Sequence, residues 1–229
     1  MSSTPAYLHP YEAAIEALGP RFVSLLWRTR PMQEARFAAM EAMVGFGGRS
    51  VADLGSGLAD LLLWADREGV RPERYVGVEA LRPFVEASRA ALAERTAGGP
   101  AEIVEADFVA DGGLFARLVG ERGVDTLVFS GSLNTMDQQT AAGVLDRAWA
   151  AVAEAERSAL VFNFLSDAGP MSASDRAAPA HRFDTLGMLR WALERTSLVL
   201  FRHDYLDGQD ATITMLGRRG RDSAYVPPF

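Results

Sequence analysis

The chain has 229 residues, a formal charge of −7, no Cys and no Lys, so all 23 basic residues are Arg. That length predicts one domain or two small ones, large enough to stand without disulfides or a structural metal. Lack of Cys excludes disulfides, thiolate nucleophiles, iron–sulfur clusters and Cys-ligated zinc, and lack of Lys excludes a Schiff-base enzyme and a P-loop. Only three His occur (His9, His181, His203), far apart, which argues against a metal enzyme. An acidic chain repels phosphate backbones, so no nucleic-acid partner is expected. The one dense basic group, Arg218, Arg219 and Arg221, reads as a solvated tail. No apolar run approaches the length of a membrane span, and the first residues lack a secretory pattern, so a cytoplasmic protein is expected.

In chain order, Tyr11–Leu18 and Met32–Val44 carry apolar residues at helical spacing, closed by Gly19 and Gly45, with Pro31 suited to a first turn. These form an expected helical cap, 1–46, ahead of a main domain, 47–229. From Ser50 the pattern alternates. Strands are expected at 50–55, 74–79, 101–106, 124–130, 158–165, 197–204 and 211–216. Helices are expected at about 58–68, 81–95, 113–121, 137–156 and 183–195. Such alternation predicts an α/β fold with a mostly parallel seven-stranded sheet and helices on both faces. The last two strands are joined only by LDGQD, too short for a parallel crossover, so the sheet ends in an antiparallel hairpin. The long connection 166–182 reads as a functional loop, a lid over a pocket.

The strongest site signal is VADLGSGLAD, 51–60: a buried strand, a glycine turn, then a helix start. Gly55, Ser56 and Gly57 suit close approach of a ligand to the backbone, and Asp53 would order that loop. The third glycine of a dinucleotide fingerprint is missing, and Asp60 would repel a pyrophosphate. A phosphate-free, cationic nucleoside fits better. Glu79, with Ala80 after it, ends the second strand, where a carboxylate can accept both ribose hydroxyls. Asp107 and Phe108 end the third strand and form a candidate adenine clamp. The fourth strand ends in Phe129, Ser130, Gly131, Ser132, Leu133 and Asn134.

The ordered set VADLGSG, VGVE, EADF and DTLVFSG resembles the motif series of class I S-adenosylmethionine (SAM)-dependent methyltransferases. The resemblance covers about residues 30–217 and implies SAM as cofactor, with a Rossmann-like domain. Two departures stand out. Ala59 replaces a glycine common in the first motif. SGSLN replaces the Asn/Asp-Pro-Pro-aromatic motif of nucleic-acid and protein amino-methylation, which argues against those acceptors, and a pocket covered by the 166–182 segment and the N-terminal helices suits a small acceptor such as a sugar or natural-product intermediate. The stretches WRTRPMQEARF (27–37), SGSLN, FNFL and HDYL are similar to those of a small bacterial subgroup.

Other candidate roles follow. Gln33 and Arg36 share a helix face, and Arg36 is placed to fork onto the cofactor's α-carboxylate, or else to make a surface ion pair with Glu34 or Glu41. Trp27 either caps the pocket or joins the core. Asn134 is placed to face the acceptor, or else to cap the next helix. His181 is a candidate general base. Phe129 and Phe164 read as core, His203 and Tyr205 as structural. Two rival functions remain open: a cyclase converting SAM to azetidine-2-carboxylate and methylthioadenosine, and a non-catalytic SAM-binding subunit. The oligomeric state is not legible.

Overall fold

The computed structural model describes residues 4–96, 98–155, 157–170 and 179–217. Part of the expected lid, 171–178, and the tail arginines lie outside them. Seven α-helices are present among the described residues: α1 His9–Leu18, α2 Arg30–Val44, α3 Asp60–Arg67, α4 Arg82–Ala93, α5 Leu114–Arg122, α6 Gln138–Val152 and α7 Thr185–Leu193. The strands are β1 Ser50–Leu54, β2 Arg74–Glu79, β3 Ala101–Glu105, β4 Thr126–Phe129, β5 Ala159–Ser166, β6 Arg182–Phe183, β7 Val199–Arg202 and β8 Asp210–Leu216.

The sheet order is β3-β2-β1-β4-β5-β8-β7, with the two-residue β6 pairing beside the end of β5. β8 runs antiparallel to both β5 and β7, and the other pairings are parallel. The expected parallel sheet with a terminal hairpin is therefore present. β6 is an addition inside the connection read as a loop, because two residues carry no detectable alternation.

The central strands are buried on both faces. All of β1 and β4, and five of six residues in β2, are buried. Alternation sends neighbouring residues to opposite sides. Val51, Tyr75, Val128 and Val161 pack under α2 and α3 with Phe37, Met40, Leu61 and Trp64. Ala52, Val76, Leu127 and Phe162 face the other way, toward Phe115 and Leu118 of α5 and Val144 and Leu145 of α6. Phe129 and Phe164 belong to this second layer, as expected.

Two consequences position the site. First, α2 lies directly on the sheet, with Phe37, Met40 and Met43 buried beside the polar Gln33 and Arg36. By contrast, α1 buries no residue fully and covers the carboxyl edge from outside. Second, β1 lies between β2 and β4, so the chain departs in opposite directions after β1 and after β4. Open α/β sheets bind ligands in the crevice that such a reversal leaves at the strands' carboxyl ends.

Candidate active site

The loops after β1 and β4 meet in that crevice. Gly55 has φ +77°, and a Cβ there would fall 2.5 Å from the Ser132 Cβ. Gly131 has φ +71°, and a Cβ there would strike the Trp27 ring at 2.3 Å. Both glycines are therefore required by conformation and by close approach. Ala59, in place of a third glycine, adopts the left-handed conformation (φ 60°, ψ 29°) immediately before α3. The departure from the glycine pattern leaves the turn geometry in place.

The resulting cleft has a volume of about 620 Å³ and opens to solvent. It is lined by Trp27, Gly55, Gly57, Glu79, Ala80, Asp107, Phe108, Ser130 and Gly131, all expected from the sequence. Its remaining walls include Tyr7, Leu8, Tyr11, Leu25, Phe84 and Thr135. Glu79 and Asp107 are the only charged residues that line it.

Glu79 is buried, and each of its oxygens accepts one backbone N–H: Oε2 from Gly57 and Oε1 from Leu81, both at 2.9 Å. Burial raises its carboxyl above the usual range, and those N–H donors oppose the rise. The Ala80 N–H also acts on this carboxylate, whose two oxygens together carry about four acceptor positions, so it is held by the backbone and still has room for a ligand hydroxyl. Asp107 Oδ1 accepts the N–H groups of Val109 (2.8 Å) and Ala110 (3.3 Å), and Oδ2 accepts the Tyr7 hydroxyl at 2.5 Å. Phe108 lines the cleft and also packs edge-on against Phe129, with centroids 5.5 Å apart. It is therefore both wall and core.

Behind the glycine loop lies a smaller recess lined by Gln33, Asp53, Ser56 and Asp60, together with Trp27, Gly55, Gly57 and Ser130. Gln33 Nε2 donates to Asp60 Oδ2 at 3.0 Å, while its Oε1 is buried without a partner. The Ser130 hydroxyl is also buried without a partner. Arg30 pairs with Asp60 from the other side at 3.0 Å. Asp53 accepts the Tyr75 hydroxyl at 2.7 Å. Burial pushes its carboxyl up to about 7; the Tyr75 bond opposes this, and the charges of Glu79 and Asp60 add to it.

A second cleft, about 880 Å³, adjoins the first and shares Tyr11, Leu25, Trp27, Gly131 and Thr135 with it. Its other walls include Leu26, Met32, Asn134 and Leu165, together with the charged Arg28 and Arg36. Asn134 does not cap α6; Asp137 does, by accepting the Thr140 N–H at 2.8 Å. Asn134 is buried at the edge of this second cleft, where its Oδ1 accepts the Leu165 N–H at 3.4 Å.

Two expectations need correction. Arg36 forks onto Asp210, with Nε–Oδ1 at 2.7 Å and Nη2–Oδ2 at 2.6 Å, and not onto Glu34 or Glu41, so its fork is already engaged within the protein. Its Nη1 donates to the Met32 carbonyl, and the guanidinium lies 4.6 Å from the Trp27 ring centroid. Arg36 thus holds Trp27 from behind. His181 enters neither cleft. It is exposed, and its backbone N–H donates to the Asn134 carbonyl at 2.7 Å. Among the described residues, no Asp, Glu or His lines the second cleft.

Several site residues carried no sequence signal. Asn163 Oδ1 accepts the Gly131 N–H at 2.7 Å, and its Nδ2 donates to Asp210 at 3.4 Å. Gly131, Asn163, Asp210, Arg36 and Trp27 therefore form one chain of contacts under both clefts. Asp210 opens β8 just past a turn, where an acid reads as solvated; only strand pairing buries it. Tyr205, expected to be structural, bonds Thr212 beside this network at 2.6 Å. Tyr7 precedes the helical pattern that begins at Tyr11, and that pattern marked Tyr11 only as part of a helix.

No protein-family model matches the chain, and no curated protein sequence matches it. Solved structures do. A SAM-dependent methyltransferase from Leishmania major superposes with a TM-score of 0.63 at 13% identity, covering 93% of this chain and 87% of that one. The CcbJ methyltransferase of Streptomyces caelestis gives 0.59 at 14% identity, covering 95% and 100%. The mitomycin 7-O-methyltransferase MmcR gives 0.60 at 18%, covering 92% of this chain but only 60% of its own. With its glycine loop, its acid-ended second strand and its reversed β8, this chain has the class I fold of SAM-dependent methyltransferases.

Proposed function

We propose that the chain is a SAM-dependent methyltransferase that transfers a methyl group to a small molecule. The observation that carries this reading is Glu79: a buried carboxylate at the cleft wall, held in place by the Gly57, Leu81 and Ala80 N–H groups, where a ribose hydroxyl can donate to it. A cleft charged only by Glu79 and Asp107 favours a cationic nucleoside and disfavours one bearing phosphates. The inner recess suits the amino-acid end: Asp53 and Asp60 attract an ammonium, while Gln33 and Ser130 offer unpartnered polar atoms.

Bound SAM would supply an already activated methyl group. Orientation is then the protein's main task. Tyr11, Trp27, Gly131 and Thr135 are common to both clefts, so transfer is assigned to that junction. Asn134 positions the acceptor in the second cleft. Residues 9–18 act as a cover, and α2 as part of the main layer. No described helix is long and apolar enough to cross a membrane.

The test is mass spectrometry of protein incubated with SAM and pooled small molecules. The reading expects S-adenosylhomocysteine together with one pool member heavier by a methyl group. Methylthioadenosine formed from SAM alone would replace it with a SAM-consuming reaction.

A further inference from the structure

Asp107 is contacted by a residue one hundred positions earlier in the chain. The Tyr7 hydroxyl donates to its Oδ2 at 2.5 Å, from just before α1. Burial first, and then this bond, raises the Tyr7 phenol, which keeps it protonated and hence the donor. The Val109 and Ala110 N–H groups occupy Oδ1. Three of the carboxylate's four acceptor positions are therefore filled by protein donors. The loop that carries it is held in turn by Arg147 of α6, whose Nη2 donates to the carbonyls of Phe108 and Val109 at 3.2 and 2.8 Å. Side chain and loop are thus fixed from two separate elements.

We propose that Tyr7 is a positioning residue that sets base selectivity: by fixing the Asp107 carboxylate, it leaves one acceptor position for the exocyclic amino group of adenine and none for a carbonyl. This rests on reading the cleft as a SAM site. A nucleoside that presents an amino group completes the set of hydrogen bonds. One that presents an oxygen, as hypoxanthine does, meets a carboxylate that is pinned and cannot turn away. Sites built to bond one polar group reject the analogue lacking it far more strongly than apolar pockets reject a missing methylene. Without the Tyr7 hydroxyl, the carboxylate gains a second open position and the freedom to hydrate or rotate. Selectivity should then fall more than affinity.

The experiment compares S-adenosylhomocysteine with its deaminated analogue, S-inosylhomocysteine, by calorimetry on the full chain, for wild type, Tyr7→Phe and Leu8→Ala. Wild type is expected to prefer the adenine ligand by about a hundredfold or more, as expected where a hydrogen-bonding group is mismatched. Tyr7→Phe should cut that ratio by about tenfold, the scale of one charge-assisted hydrogen bond, with little change for the inosine ligand. Leu8→Ala, which removes only cleft wall, should weaken both ligands alike and keep the ratio. An unchanged ratio in Tyr7→Phe, whether both affinities fall or neither does, overturns the proposal. Failure of wild type to bind either ligand would instead overturn the SAM-site reading beneath it.

Discussion

The clefts on either side of Trp27 differ in how their polar groups are partnered. In the first, Glu79 and Asp107 keep acceptor positions open, while Gln33 and Ser130 in the adjoining recess hold buried atoms with no protein partner. Under the second, the polar groups satisfy one another: Arg36 forks onto Asp210, Asp210 meets Asn163, and Asn163 takes the Gly131 N–H. Leaving a buried polar group unpaired costs about 1–3 kcal/mol, so open groups are retained where a ligand completes them. Under the proposed function, the first cleft would bind SAM through these polar groups. The second would hold the acceptor against a braced wall.

That contrast breaks most severely at Asp210. Asp210→Ala leaves the Arg36 charge buried and unpaired, and should cost about 3–5 kcal/mol. For a chain of this size, the melting temperature should fall by roughly ten degrees or more in a thermal melt. An apolar pair, Arg36→Met with Asp210→Leu, should recover most of that loss while releasing Trp27. If Asp210→Ala melted like wild type, the network would not be structural.

In the first cleft the expected balance is reversed. Glu79→Gln should weaken SAM binding by tenfold or more, since bonds to a charged group contribute about 1.5–3 kcal/mol, with a smaller effect on melting. A loss of stability without a loss of affinity would make Glu79 a loop anchor only.

How much was legible follows the same division. Gly55 and Gly57 after β1, Glu79 at the end of β2 and Asp107 just past β3 were readable because the strand pattern places them. The shared helix face of Gln33 and Arg36 was legible, but the Arg36–Asp210 pairing was not, because Asp210 is 174 residues away and becomes its neighbour only through β8 pairing. Tyr7 was invisible for the same reason. His181 was singled out because loop His residues are potential bases, yet backbone bonding to Asn134 turns it to the surface. Ala59 shows that a motif residue can change while the left-handed turn it served persists.

A finer distinction comes from pH. Asp53 is raised from the usual Asp range to about 7, so the folded chain binds more protons than the unfolded chain between those values, and this group lowers stability as pH rises through that window. A cationic ligand favours the ionised form. SAM binding should therefore tighten several-fold from pH 6 to 8 and release protons near neutrality, measurable by calorimetry in buffers of different ionisation enthalpy. Asp53→Asn should flatten that dependence. A profile independent of pH in wild type would place Asp53 outside the ligand's field.

The smallest effect is expected at His181. Exposed and outside both clefts, His181→Ala should change stability by no more than about 0.5 kcal/mol and leave SAM affinity unchanged. A large loss of methyl transfer in that variant would restore its role as a base.

The central claim is that the first cleft selects a phosphate-free, cationic nucleoside. Its most direct test is side-by-side calorimetric titration of the purified chain with SAM, ATP and NAD at pH 8. The account predicts one SAM site per chain and no measurable binding of ATP or NAD. Binding of either phosphate-bearing nucleotide as tightly as SAM, or no binding of SAM, would contradict it.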